Sequence, residues 1–238
     1  MQKVVKLAGL LALLASSATA ADIVQNEPVV VADKSGFYLG SVSSLTFPDN
    51  TNYTFGGTSY DADYDFGFYS GLRAGYSFGS YGFVSPRIEL EIGYGTADAD
   101  EISGNGVNFG SDSFGDARTI QGFVNAYLDI PTNTAFTPYF GGGIGAMNLE
   151  LRRQGVSTTG VAMDDDDTKF AYHLDLGVGI DLNTISFFRD STLFSNTTFD
   201  IGYRYTAADD FDFTARDGSA SSTDFSSHAV VAGFRRQF

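Results

Sequence analysis

The chain of 238 residues has no cysteine. That removes disulfide staples and also any thiol that could carry a lipid anchor. Nor does it hold an apolar run near the ~20 residues that a membrane-spanning helix needs. Basic residues are scarce: 14 Lys and Arg stand against 29 Asp and Glu, for a formal charge of −15. Nucleic acid is a poor partner for such a chain, because its binding depends on Lys and Arg neutralising phosphates. Acid–base chemistry has only two histidines to draw on, His173 and His228. Glycine (28), phenylalanine (22) and tyrosine (13) are plentiful, with only five prolines, in a chain long enough for a single domain.

The N-terminus reads as an address. Lys3 and Lys6 precede the compact apolar run Leu7 to Ala15, and Ala18-Thr19-Ala20 offers small residues for cleavage. Residues 1–20 therefore have the layout of a secretory signal peptide, cleaved after Ala20. Its loss removes two lysines and no acid, taking the charge from −15 to −17. Residues 21–35 contain Glu27-Pro28-Val29-Val30-Val31, show no amphipathic period, and read as a periplasmic lead-in.

From Gly36 to Phe238 the pattern changes to period two. The last stretch, Ser226 to Phe238, sends Phe238, Phe234, Ala232, Val230 and His228 one way and Gln237, Arg235, Gly233, Val231 and Ala229 the other. In Arg87-Ile88-Glu89-Leu90-Glu91-Ile92-Gly93-Tyr94 every apolar side chain alternates with a charge or a glycine. A helix would scatter those charges around its circumference, so the segment is a strand. Similar segments run over Phe37 to Leu45, Phe66 to Phe78, Arg118 to Ile130, Pro138 to Asn148, Phe170 to Leu182 and Thr198 to Tyr205. The spacing predicts an all-β fold: an eight-stranded antiparallel transmembrane β-barrel, apolar outside and polar inside. Short turns alternate with four long connections, which hold Asp49, Asp61, Asp63, Asp98, Asp100, Glu101, Asp112, Asp164 to Asp167, Asp209, Asp210 and Asp212. These long connections are expected as acidic extracellular loops, and the short turns as periplasmic.

By these segments the chain resembles the small outer-membrane β-barrel family of Gram-negative bacteria, the OmpA-like and opacity-type porin domains. The carriers are Gly36-Phe37-Tyr38-Leu39-Gly40, Arg73-Ala74-Gly75-Tyr76, Glu89 to Tyr94, Asn125-Ala126-Tyr127, Pro138-Tyr139-Phe140-Gly141, Gly202-Tyr203-Arg204-Tyr205 and Gly233 to Phe238. The resemblance implies that the barrel assembly machinery reads the terminal aromatic strand through Phe234 and Phe238. Arg236 departs from the family pattern, where an aromatic or apolar residue is usual, and is expected to reach the periplasmic interface.

Ten charges share the predicted interior: Arg73, Arg87, Glu89, Glu91, Asp129, Asp175, Asp181, Asp200, Arg204 and Arg235. An eight-stranded interior has room for side chains and little else, so a paired network is expected; a polar path for small solutes is the alternative. Asp164, Asp165, Asp166 and Asp167 are a weak divalent-cation candidate without the ordered spacing of a calcium loop. His228 with Ser226, or His173 with Asp175, would be the makings of a hydrolytic site on lipid, but neither offers a complete set. The sequence therefore points to no enzyme, no cofactor and no dedicated metal. It points to an outer-membrane protein with a structural and surface-contact role. The partners expected are outer-membrane lipid and lipopolysaccharide, the assembly machinery, and host or environmental surface ligands.

Overall fold

The computed structural model describes residues 35–238 apart from 133, 159, 190 and 193. The expected leader and residues 21–34 lie outside the described residues. Eleven strands follow in chain order: β1 (Ser35–Pro48), β2 (Thr51–Phe55), β3 (Thr58–Tyr64), β4 (Gly67–Phe78), β5 (Ser85–Gly104), β6 (Val107–Asn108), β7 (Ser113–Asp129), β8 (Phe136–Val156), β9 (Gly160–Asp181), β10 (Thr197–Thr214) and β11 (Ala220–Gln237). Eight of them close a ring in the order β1, β4, β5, β7, β8, β9, β10, β11, every neighbour antiparallel. The ring is sealed by β11 on β1, in register from Tyr38↔Gln237 to Pro48↔Ser227. No edge of this ring is left to face lipid, where an unpaired amide is costly.

The alternation expected from the sequence decides which way each residue points. In β5, Leu90 is 62% exposed while its neighbours Glu89 and Glu91 are buried, and Arg87 is 1% exposed. Charges buried and leucines exposed are the reverse of a water-soluble fold, and only a lipid surround makes the arrangement stable. Glycines make the narrow interior habitable at particular points. A Cβ at Gly93 would collide with the Tyr69 ring, and one at Gly143 with Asn125 Oδ1 and His173.

The strands do not stop at the membrane. β8 and β9 have 21 and 22 residues, where a tilted strand crosses a bilayer in about 9–11. What reads in the sequence as long loop is strand for most of its length: β5 continues to Gly104, β9 begins at Gly160, and β10 runs to Thr214. Some of the acids that suggested loop alternate with apolar residues. Asp210-Phe211-Asp212-Phe213 is the clearest case, with both phenylalanines buried and both aspartates exposed. A bulge between Ala208 and Phe211 resets the register that aims these rings inward.

Above the membrane a second ring sits on the first, with β2 and β3 standing where β1 and β4 end. β3 pairs with β5 through the backbone. β2 meets β11 through side chains: the Asn52 and Thr54 amides donate to Thr223 Oγ1 at 3.1 Å and Ser221 Oγ at 2.8 Å. The Gly56 amide donates to Asp217 Oδ2 at 2.6 Å. β9 and β10 also part at this height, and the Asp212 and Thr214 amides donate to Asp167 at 2.9 Å and Asp165 at 2.7 Å. The interior of this upper ring is apolar, filled by Tyr53, Tyr60, Tyr64, Ile102, Met163, Phe211 and Phe213. At the opposite end, the described connections are residues 79–84, 130–135 and 182–196, the last carrying a short helix α1 (Ser186–Arg189).

Candidate functional site

The membrane-level interior is one continuous polar network, and the inward parity of seven strands delivers its members. Arg204 on β10 is the upper hub. Its guanidinium grips Glu91 at 2.6 and 3.0 Å and Asp175 at 2.8 and 3.0 Å, a double fork on two carboxylates. Tyr69 donates to Glu91 at 2.8 Å and Tyr127 to Asp175 at 2.6 Å. The lower hub pairs Arg73 with Asp200 at 2.6 Å, Arg87 with Asp129 at 3.0 Å, and Arg235 with both acids. Arg87 also lies over the Tyr127 ring, 3.9 Å from its centroid. Tyr38 donates to Glu89 at 3.0 Å. Asn125 joins the hubs, its amide nitrogen reaching Glu89 at 3.0 Å and Glu91 at 3.3 Å.

That bond pattern leaves Asn125 Oδ1 as an acceptor facing His173 Nε2 at 2.9 Å, while Asp175 Oδ2 stands 3.3 Å from Nδ1. Both ring nitrogens thus face side-chain oxygens, with Nε2 at hydrogen-bond distance.

Nine of the ten charges assigned to the interior are therefore brought together, and Asp181 is the exception. At the end of β9 it caps the next turn, accepting from the Asn183 amide at 2.9 Å. Parity placed it inward, but the strand ends there and the side chain turns to the backbone. The residues that the charge list missed are Tyr38, Tyr69, Asn125, Tyr127 and His173. Their signal was an inward position with a polar tip.

The aspartate run is corrected too. Asp164 to Asp167 lie on a strand, so successive carboxylates point to opposite faces and cannot converge on one ion. Asp164 pairs with Arg216 at 2.7 Å, and Asp166 accepts from Asn148 at 2.8 Å. Hydrogen bonds from Arg216 hold the Asp164 carboxyl below the usual carboxylate range, and the Asp212 amide does the same for Asp167. Among the described residues no group of three or more His, Cys, Asp or Glu is placed to hold a metal. The second histidine has no nucleophile: Ser226 donates to Asp49, and His228 Nδ1 meets the Tyr203 hydroxyl. Arg236, at the end of the barrel that carries the short connections, bonds Thr192 O at 3.4 Å and Ser195 Oγ at 3.3 Å.

Between network and apolar mouth lies a cavity of about 30 Å³ beside Thr51, Tyr64, Tyr69, Gln121, Leu149 and Phe225. It has room for a water or two. Above it, Tyr64 bonds Thr51 and Gln154, and burial pushes its phenol up to about 12.

The sequence matches the family described as outer membrane protein beta-barrel domain over residues 8–238. The chain belongs to that family. The outer membrane is therefore where this barrel resides, with its exposed leucines against lipid. A search of curated proteins finds no match. Among solved structures, the barrel is similar to Neisserial surface protein A at 18% identity, covering 85% of this chain and 97% of that one, with a TM-score of 0.49. It is similar to the outer membrane protein OprG of Pseudomonas aeruginosa at 13% identity, covering 86% and 98%, with a TM-score of 0.43. The outer membrane protease OmpT of Escherichia coli matches at 8% identity over 87% and 98%, with a TM-score of 0.46. At these values no activity or substrate passes from those proteins to this barrel.

Proposed function

We propose that this outer-membrane barrel is closed to solutes and works through its outer surfaces, supporting the envelope and presenting a rigid acidic extension to host or environmental ligands. The observation that carries the reading is the filled interior. A charge-paired network occupies the membrane level, an apolar plug occupies the mouth, and the cavity between them is about 30 Å³. Breaking such a network to admit a solute leaves buried charges unpaired, which is strongly unfavourable. The outward acids stand on strands whose inner faces are packed, so the surface they form is held in shape. Catalysis is not part of the proposal, because Ser226 and His228 have separate partners. Lipopolysaccharide lies against the outer wall in this reading, and the assembly machinery meets the outward rings of Phe234 and Phe238 on the closing strand.

Conductance is the test. The folded protein in planar bilayers is expected to give no reproducible current steps. Regular steps would overturn the closed reading in favour of a small-solute porin. A measurable hydrolytic activity lost on replacing His173 or His228 would overturn the non-enzymatic part.

A further inference from the structure

One apolar patch belongs to neither the barrel wall nor the plug. It lies on the connection from β9 to β10, which takes 15 residues (182–196), while the connections at 79–84 and 130–135 take six each. The described residues of this stretch are hydrogen-bonded to one another. Asn183 bonds Asp181 at one end and accepts from the Asn196 amide at the other, at 3.2 Å. Backbone turns run from Ile185 to Leu182, Phe188 to Ile185 and Ser191 to Phe188. On this frame stand Phe187, Phe188 and Phe194, packed edge to face with centroids 5.0 and 4.9 Å apart. Phe187 is nevertheless 84% exposed. Phe188 and Phe194 are half-buried, so the cluster presents one bare ring backed by two others.

Its position indicates the cover. Arg236 faces outward from β11, two residues from Phe234, and it is the side chain that holds Thr192 and Ser195. The connection is therefore tied at Thr192 and Ser195 to the outward side of β11. Directly above, Phe234 packs on Phe199 at 5.1 Å within the lipid-facing surface, and Phe238 is exposed below it. The aromatic cluster continues that lipid-facing surface sideways at the level of the short connections. Aromatic rings and an arginine are the side chains favoured where acyl chains meet headgroups.

We infer that the β9–β10 connection is a membrane foot, with Phe187 and Phe188 inserted into the periplasmic phospholipid leaflet and the Arg236 guanidinium at headgroup level. The inference rests on membrane location and not on the closed lumen, so conductance results leave it untouched.

The chain contains no tryptophan, so Phe187→Trp supplies a single reporter at an exposed position. The full folded chain is reconstituted in phosphatidylethanolamine–phosphatidylglycerol vesicles with brominated acyl chains, folding being checked by heat-shifted gel mobility. The expected result is blue-shifted emission and quenching that is strongest for bromines nearest the headgroup. Val107→Trp, at the opposite end of the molecule and 53% exposed, is expected to stay red-shifted and unquenched. Emission of the Phe187→Trp protein that matches the Val107→Trp protein overturns the inference. So does a tryptophan that is water-exposed in vesicles but shielded in cells, which would assign the patch to a periplasmic protein.

Discussion

Arg204 brings five donors to a place where Glu91, Asp175 and Tyr127 converge, and every one of these groups is buried. Removing such a partner costs more than the bonds lost, because the carboxylates remain in a low-dielectric interior without compensation. Arg204→Ala is expected to lower stability by about 3–5 kcal/mol, read as a lower urea midpoint in detergent micelles. A change within the range of a surface ion pair, ~0–1 kcal/mol, would mean that water reaches the network. At this scale the sequence was legible by parity. Arg73, Arg87 and Arg204 each sat on an inward position, and each is buried. Which acid pairs with which base was not legible, since pairing across the lumen joins residues as far apart as Arg73 and Asp200. Asp181 shows the limit of parity, which assumes that the strand continues past the residue.

The extension is held by two kinds of seam. β3 on β5 is backbone to backbone, whereas β2 on β11 and β9 on β10 depend on Asp, Ser and Thr side chains. The acid-dependent seams carry a pH signature. Hydrogen bonds from the Gly56 and Ser219 amides hold Asp217 below its ordinary value, as other donors hold Asp164 and Asp167. A carboxyl depressed in the folded state contributes stability above its unfolded value, about 3.9, and loses it as pH falls through the folded value. The near-ultraviolet circular dichroism of the stacked Tyr53–Tyr60 pair is expected to stay constant from neutral pH to about 4 and to fall below it. Loss of that signal at higher pH would place the seams' strength elsewhere. These elements were hard to see in the sequence. Asp, Gly, Ser and Asn have turn-forming chemistry, and along 95–117 and 206–224 that composition masked a continuing alternation.

Taken whole, the molecule is two stacked rings with opposite interiors. The membrane ring is polar inside and apolar outside, and the upper ring is apolar inside and acidic outside. Their stabilities rest on different physics, so they are expected to separate as cooperative units. Phe213→Ala, which empties a fully buried aromatic site in the plug, is expected to cost about 3–5 kcal/mol locally. The readout is faster proteolytic cutting within β8 to β11 above the membrane, with unchanged heat-shifted mobility of the remaining barrel. Simultaneous loss of both would make the rings one unit. The ring of eight strands was open to sequence reading because period two repeats on every stave, while the exchange of β1 and β4 for β2 and β3 depends on contacts that span most of the chain.

The alternation in the upper ring has a consequence for how this surface can change over time. Along Asp210 to Phe213 the acids point away from the plug, and the phenylalanines beside them answer to packing. Outward positions that hold no seam, unlike Asp165, Asp167 and Asp217, can therefore be rewritten without disturbing the fold. The exposed end of the barrel is in effect a fixed lattice on which a lineage can vary its outer face residue by residue, while the inward aromatic residues stay constant.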